Sequence, residues 1–305
     1  MKTEITRNNV NLLKILRCPA CEDDRIDIVN EKFQCLACGE EYRLLNNIPV
    51  IVDKSFSFEI INNLKNNMSW EDYDSDGITK KIAEYSTNKK SIYQYITPSH
   101  RVQVGPTYES FLDTYNISGN VLELGGGPNS LQIPGVVNCD INSYKTVDII
   151  GDARKLPFKD GVFKGIICNS VLEHIFEVEK VVDECFRVLD KGGYIFMCVP
   201  QVCGRHHTVD YFRWTIPGLK RQFSKFSIID QGVILGPAMF VSQIIISLFR
   251  SLTPFKFINS TICFFLEWLL FPLRFLDILG KNNKDYEDYA HTIYIIGKKI
   301  KFITL

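Results

Sequence analysis

The sequence predicts an α/β protein built on a doubly wound, mostly parallel sheet. A small module precedes the sheet, and an apolar helical insertion interrupts it before its last strand. Three observations carry this reading. From residue 120 onward, short apolar runs alternate with helical patterns. Ahead of them stand two C-x-x-C pairs. Toward the C-terminus, the nineteen residues from Gln231 to Phe249 pass without a charge.

A chain of 305 residues holds one large domain and a small one. Its 35 Lys and Arg balance 35 Asp and Glu, which argues against nucleic acid as the main partner, although a local basic patch stays open. The start, "MKTEITRNNVNLL", has no apolar signal-peptide core, so a cytoplasmic location is expected. Four of the ten cysteines cluster near the start and six lie scattered in apolar surroundings, a pattern of a metal site plus buried thiols.

The first module is expected over residues 1–54. Cys18 and Cys21 form one pair and Cys35 and Cys38 another, with thirteen residues between them. Each pair can fold into a tight knuckle that points two thiolates at one ion, and two knuckles complete a closed tetrahedral zinc site. Closed coordination leaves no place for a substrate, so the zinc is read as structural. Gly39 follows the second pair where a knuckle often needs positive φ. "KFQCL", "EYRLL" and "IPVIV" fit short strands of a ribbon whose folding energy comes from the metal. Residues 55–100, polar and rich in Asn, Lys, Ser and Tyr, read as a linker with short helices.

The main domain is expected over residues 101–305. "NVLEL", "VVNCD", "VDIIGD", "GIICNS" and "GGYIFMCVP" are its first five strands, and "HTIYIIGKK" is its last. Between them "VEKVVDECFRVL" places Val178, Val181, Val182, Cys185, Phe186 and Leu189 on one helical face. In such sheets ligands bind at the carboxyl ends of the strands, near the switch in strand order.

The run Gly125-Gly126-Gly127-Pro128-Asn129 lies at such an end. It is not a dinucleotide fingerprint, since no third spaced glycine follows and too few residues precede the next strand for a crossover helix. The acids point elsewhere. Glu123 ends the first strand, Asp140 ends the second where a carboxylate can accept both hydroxyls of a ribose, and Asp152 follows the third within reach of an adenine amine. A ligand with ribose, adenine and an amino-acid tail suits this set, and S-adenosylmethionine fits that description.

"VLELGGGP", "GDARKLPFKDGVFKGIICNSVLEHI" and "ECFRVLDKGGYIFMCVP" resemble the class I S-adenosylmethionine-dependent methyltransferases of the type 11 group, over roughly residues 119–230. The resemblance implies the seven-stranded Rossmann-like methyltransferase fold. It implies that Glu123, Gly125 and Gly127 line the methionine part, that Asp140 holds the ribose, that Asp152 and Ala153 frame the adenine, and that Asn169 closes over the methionine tail. Asn129 departs from the family's third glycine, and the first crossover is shortened. The module at the N-terminus resembles the zinc ribbons that activate methyltransferases acting on tRNA and translation factors, through Cys18-Pro19-Ala20-Cys21, Cys35-Leu36-Ala37-Cys38-Gly39 and Asn47-Ile48-Pro49-Val50.

The acceptor side is expected in "QVCGRHHTVDYFRWTIPGL", residues 201–219. The stretch "DYFRWTIPGL" resembles one found in methyltransferases of sugar and cell-envelope biosynthesis. His206, His207 and Asp210 are the candidates for a catalytic base, with Tyr211, Arg213, Trp214 and His174 lining the acceptor side. Asp210 and Arg213 are alternatively an ion pair that orders the loop, and a packing or pocket-lining role is preferred for His174. The apolar segment at about 233–289 reads as an insertion, either a lid, a partner interface or helices lying in the inner face of a membrane.

The expected function is methyl transfer from S-adenosylmethionine to a small-molecule, sugar or lipid-linked acceptor, in cell-envelope or polysaccharide biosynthesis. An RNA methyltransferase is the second reading, and a non-catalytic methyltransferase-like scaffold the third. Neither the acceptor nor the oligomeric state can be read from the sequence.

Overall fold

The computed structural model describes residues 6–53, 102–205, 209–252, 256–281 and 283–300. The expected linker, residues 55–100, therefore lies wholly outside the described residues, as do His206 and His207. No helix among the described residues is long and apolar enough to cross a membrane.

The N-terminal segment contains β1 (Thr6–Arg7), β2 (Val10–Asn11), α1 (Leu12–Ile15), β3 (Ile26–Val29), β4 (Lys32–Cys35), β5 (Glu41–Tyr42), β6 (Leu44–Leu45) and β7 (Ile48–Pro49). β3, β4 and β5 form an antiparallel ribbon. The two cysteine knuckles are built alike. Glu22 N–H donates to Cys18 O at 2.8 Å and Gly39 N–H to Cys35 O at 2.9 Å. Both donors sit in the left-handed region, at φ 63° for Glu22 and 76° for Gly39. Glycine is the easy choice there, and Glu22 shows that the knuckle itself imposes the conformation.

The domain proper runs α2 (Tyr108–Thr114), β8 (Val121–Leu124), β9 (Val136–Asp140), β10 (Ile149–Ile150), β11 (Phe163–Asn169), α3 (Val178–Val188), β12 (Leu189–Pro200), α4 (Ile216–Gln222), β13 (Ser227–Leu235), α5 (Pro237–Ser251), α6 (Lys256–Leu270), α7 (Leu276–Gly280) and β14 (Thr292–Lys298). Among the described residues, seven strands form one sheet in the order β10-β9-β8-β11-β12-β14-β13. The first five are parallel, and β14 runs antiparallel to both of its neighbours. This is the Rossmann-like methyltransferase fold. The chain winds outward from β8 to β10, then restarts beside β8 with β11, so the switch point lies between β8 and β11.

Alternate residues of the strands feed opposite faces. Leu122, Val137, Ile166, Ile195 and Ile295 join one core with α3, α4 and the N-terminal segment, while Val121, Val136, Ile167, Phe196 and Ile296 join another with Phe111 of α2. The ribbon is therefore no pendant module. Leu12, Leu16 and Ile51 are buried in the same core as the sheet. Val50 forms a parallel bridge with Ile150, and Ile51 N–H donates to Ile150 O at 2.9 Å, so the exit from the ribbon covers the β10 edge.

Several expectations are corrected here. β13 was missed: its alternation is broken by Asp230, Gln231 and Gly232, and it is bulged twice against β14. Val233, Ile234 and Leu235 belong to this strand, so the insertion begins only at Gly236. Leu189 opens β12 rather than closing α3, and Phe186 is half-buried against Phe226, with ring centroids 5.2 Å apart. His174 lies on a short 3-10 turn, Leu172–His174.

In the insertion, the Asp277 carboxylate accepts the backbone N–H of Ala238 at 2.9 Å and of Met239 at 3.3 Å, capping the first turn of α5 from a distance in sequence. Gly236 is required beside it, because a Cβ would stand 1.8 Å from the Tyr286 hydroxyl and 2.4 Å from Asp277 Oδ1. Gln243 on α5 is hydrogen-bonded to His291 Nε2 at 3.0 Å, tying the insertion to the start of β14.

Candidate functional site

The strand order brings the predicted acids to one edge. Glu123, Asp140 and Asp152 stand at or just past the carboxyl ends of β8, β9 and β10, three neighbours in the sheet, and all three are buried. Asn169 ends β11, across the switch point from the glycine loop, and its side chain is exposed there.

The glycine loop is held by these acids. Glu123 Oε2 accepts the Ser130 hydroxyl and the Leu131 N–H, the latter at 2.9 Å. Asp140 Oδ2 accepts the Gly127 N–H at 3.0 Å, and its Oδ1 accepts the Asn142 N–H at 2.8 Å. Gly125 and Gly127 have φ of 68° and 57°. A Cβ on Gly125 would lie 2.4 Å from Val171 Cγ2, whereas one on Gly127 would meet nothing nearer than Tyr144 Cε2 at 4.0 Å. The first glycine is thus demanded by packing, and the second leaves an open approach to backbone. No crossover helix follows, only a 3-10 turn over Gly127–Asn129.

Burial raises the pKa of Glu123, Asp140 and Asp152 above the ordinary carboxylate values, partly offset by the hydrogen bonds each accepts. Asp140 and Asp148 add to the rise at Glu123 by like-charge repulsion. Asp152 is further engaged by Arg154, whose backbone N–H is 2.9 Å and whose Nε is 3.2 Å from Oδ1. Ala153 packs half-buried against the core beside it. Desolvated carboxylates at a strand-end crevice favour hydroxyl and amine donors and a nearby cationic centre.

Some participants carried no motif. Asn138, fully buried on β9, accepts the Gly126 N–H through Oδ1 at 3.2 Å and donates through Nδ2 to Thr146 O at 3.1 Å, tying the glycine loop to the segment after β9. Tyr108 on α2 brings its hydroxyl to the Asn169 side chain, and burial raises its pKa, with Glu123 among the nearby charges. A capping box of Thr107 and Ser110 starts this helix. Ser170, in the left-handed region at φ 55°, stands at the switch point itself.

On the acceptor side the structure divides the predicted residues. Asp210 is bound through both carboxylate oxygens by Arg213, whose Nη2 is 2.6 Å from Oδ2, and its side chain is 1% exposed. Arg213 also donates to Phe212 O at 2.7 Å and Gly204 O at 3.0 Å. This pair staples the loop, the arrangement expected as the alternative to a base role for Asp210. Trp214 is buried in the core, with its backbone N–H donating to Pro200 O at 3.1 Å, so it packs the loop rather than lining an open surface. Tyr211 is 53% exposed and lies edge-on to Phe176, with ring centroids 5.6 Å apart. His174 Nδ1 is 2.6 Å from Val209 O, in line with a packing role.

The four predicted thiols converge. Their sulfurs all lie within 4.8 Å of one another, with Cys18 and Cys38 at 3.7 Å and Cys21 and Cys35 at 3.6 Å. A tetrahedron with Zn–S bonds of ~2.3 Å has edges of ~3.8 Å, so the four fit one tetrahedral ion. The Tyr42 hydroxyl lies 3.0 Å from Cys18 Sγ, a bond that supports a thiolate.

Residues 133–197 match the family model described as "Methyltransferase domain", from just before β9 through most of β12. No curated protein matches the chain. Among solved structures, the chain is similar to Haemonchus contortus phosphoethanolamine N-methyltransferase 2 in complex with S-adenosyl-L-methionine, at 14% identity over 77% of this chain and 60% of that one, with a TM-score of 0.45. It is similar to 1,6-didemethyltoxoflavin-N1-methyltransferase of Burkholderia thailandensis, at 11% identity over 62% and 75%, with a TM-score of 0.39. It is also similar to the [4+2]-cyclase SpnF, at 12% identity over 67% and 88%, with a TM-score of 0.39. At such identities and TM-scores the likeness fixes no chemistry. The segment that matches the methyltransferase-domain model, residues 133–197, lies within the sheet that positions the strand-end acids.

Proposed function

We propose that the protein transfers a methyl group from S-adenosylmethionine to a small-molecule, sugar or lipid-linked acceptor of cell-envelope or polysaccharide biosynthesis. The observation that carries the donor is the alignment of Glu123, Asp140 and Asp152 on three adjacent strand ends around a glycine loop with one open face. Asp140 would take the ribose hydroxyls, Asp152 with Ala153 would frame the adenine, and Glu123, Gly125, Gly127 and Asn169 would line the methionine part. Tyr108 would close this end from α2. When bound, the donor supplies a methyl group on a cationic sulfur, ready for in-line displacement. The chain's own part is to hold donor and acceptor in that line and to keep water out. The loop stapled by Asp210 and Arg213 sets the acceptor wall. His206 or His207 would take the proton from an attacking hydroxyl.

The Cys18, Cys21, Cys35 and Cys38 cluster would hold a structural zinc. Its sulfur donors and tetrahedral edges suit that ion, and with four protein ligands it would leave no site for substrate.

The test is incubation of the purified protein with methyl-labelled S-adenosylmethionine and, separately, lipid, polysaccharide, RNA and protein fractions. Label in the lipid or polysaccharide fraction supports the reading. Label in RNA alone moves the assignment to the second enzymatic class, and donor binding without label in any fraction favours the scaffold.

A further inference from the structure

We infer that the outward face of the insertion docks on the surface of an anionic lipid bilayer. The protein would then rest on the membrane without crossing it, with the donor edge of its sheet beside the lipid. The part concerning the donor edge rests on the methyltransferase reading above. The docking itself does not.

The first observation is where the apolar residues point. On α5, Ala238, Met239, Ser242 and Ile246 are buried, while Val241, Ile244 and Leu248, and Leu252 at its C-cap, are exposed at spacings of three, four and four. That spacing is one side of a helix, the side where a water-facing helix carries polar residues. Phe265, Trp268 and Leu269 repeat the pattern on α6, and Leu276 and Leu279 continue it on α7. Leu252, Leu269 and Leu279 are 68%, 72% and 81% exposed, so this is a surface and not a loosely packed interior.

Length is the second observation. α5 and α6 have 15 residues each. At ~1.5 Å per residue each is about 22 Å long, short of a hydrocarbon core of about 30 Å. Short helices with a continuous apolar side suit the boundary of a bilayer rather than its interior.

Charge is the third. Between Pro237 and Gly280 the sequence holds two acids, and both are committed internally. Glu267 pairs with the buried Arg274 at 2.6 Å, and the buried Asp277 caps α5. Arg250 at the end of α5 and Lys281 beyond α7 are exposed. The face therefore presents apolar side chains with exposed cations at its ends, and the exposed acids Asp285 and Asp288 fall outside that span. This polarity complements anionic headgroups, and Trp268 suits the headgroup level.

Topology gives the docking its meaning. Leu235 and Pro200 both pair with Thr292, so the insertion leaves and rejoins the sheet at the carboxyl end of β12. That is the edge that carries Glu123, Asp140 and Asn169. A second copy seated on this face would crowd the edge an acceptor must reach, whereas a bilayer presents the acceptor there. The acceptor class this favours is one held by lipid.

The test is flotation of the full-length protein with phosphatidylglycerol–phosphatidylethanolamine vesicles and with phosphatidylcholine vesicles, at low and high salt. The protein should float with the anionic vesicles and keep part of that binding in high salt. Leu248→Glu and Leu269→Glu each remove one exposed leucine and should each weaken partitioning about tenfold, with circular dichroism and S-adenosylmethionine affinity by calorimetry unchanged. Absence of flotation, or equal flotation by both variants, overturns the inference. So does a wild-type dimer by light scattering that the variants split, which would assign the face to a second copy. Flotation by a protein that binds no S-adenosylmethionine supports the docking and removes the methyltransferase reading instead.

Discussion

Replacing Asp140 by alanine should weaken S-adenosylmethionine binding by one to two orders of magnitude. The carboxylate is buried and already accepts the N–H groups of Gly127 at 3.0 Å and Asn142 at 2.8 Å. It holds the open glycine in place as well as offering the proposed ribose contact. Hydrogen bonds to a charged group contribute about 1.5–3 kcal/mol each. Losing one ribose contact costs about tenfold in affinity, and losing two costs about a hundredfold, since ~1.4 kcal/mol is a factor of ten. Alanine also leaves the Gly127 and Asn142 donors without their acceptor, which loosens the loop. Asp140→Asn separates the two effects: one amide oxygen keeps a loop N–H, so stability is largely kept while affinity still falls. Calorimetry with S-adenosylhomocysteine, paired with thermal denaturation, reads both. Unchanged affinity in a folded Asp140→Ala protein would remove this residue from the donor site.

The same group gives a pH dependence. Burial raises the pKa of folded Asp140 above its ordinary value, so the native state holds the proton more tightly than the unfolded chain. Its contribution to stability without donor is complete below the ordinary carboxylate pKa and is lost as pH rises through the raised one. Donor binding runs the opposite way, because hydroxyls donate best to the ionised form. Affinity should therefore fall as pH drops through the raised pKa, and Asp140→Asn should flatten that dependence in a calorimetric pH series.

Three further outcomes are expected. Metal analysis should find one zinc per chain, and Cys35→Ser should lower the melting temperature of the whole protein, because Cys35 shares a core with Leu122 and Leu124 of β8; an unchanged melting temperature would make the ribbon independent. Gly125→Ala should cost about 1–2 kcal/mol from φ 68° alone, plus the clash with Val171, and donor binding should fail in calorimetry unless Val171→Ala restores room. Asp210→Asn should destabilise the protein by about 1–3 kcal/mol in urea denaturation, because Arg213 loses its charged acceptor. The pH profile of methyl transfer should stay unchanged in that variant, whereas a displaced acid limb would return Asp210 to the role of base.

Much of the fold was legible because it is encoded by local patterns. "VVNCD" is β9 to the residue, and the runs around Leu122, Ile166, Phe196 and Ile295 all became strands of the sheet. The paired cysteines were legible because a C-x-x-C knuckle is a local turn, and two of them can meet at one ion. Glu123, Asp140 and Asp152 could be expected at one edge because each ends or follows a strand, and parallel strands put such ends side by side. β13 was not found, since Gly232 and the neighbouring polar residues break the alternation that marks a strand, and it is held by its pairing with β14 and by Val104, whose N–H donates to Ile234 O at 3.0 Å.

What tertiary structure alone decided concerns partners distant in sequence. Tyr108 reaches Asn169, Asn138 holds Gly126, and Ile51 covers the edge of β10 through contacts that no window of sequence contains. From the sequence Asp210 could serve as a base or as an ion-pair partner, and only the fold shows Arg213 binding both its oxygens. Trp214 could have lined the acceptor wall, but packing drew it into the core. Residue type and spacing determined which groups this chain can bring to chemistry. Which of them stay available was decided by burial and by the hydrogen bonds that distant segments had already claimed.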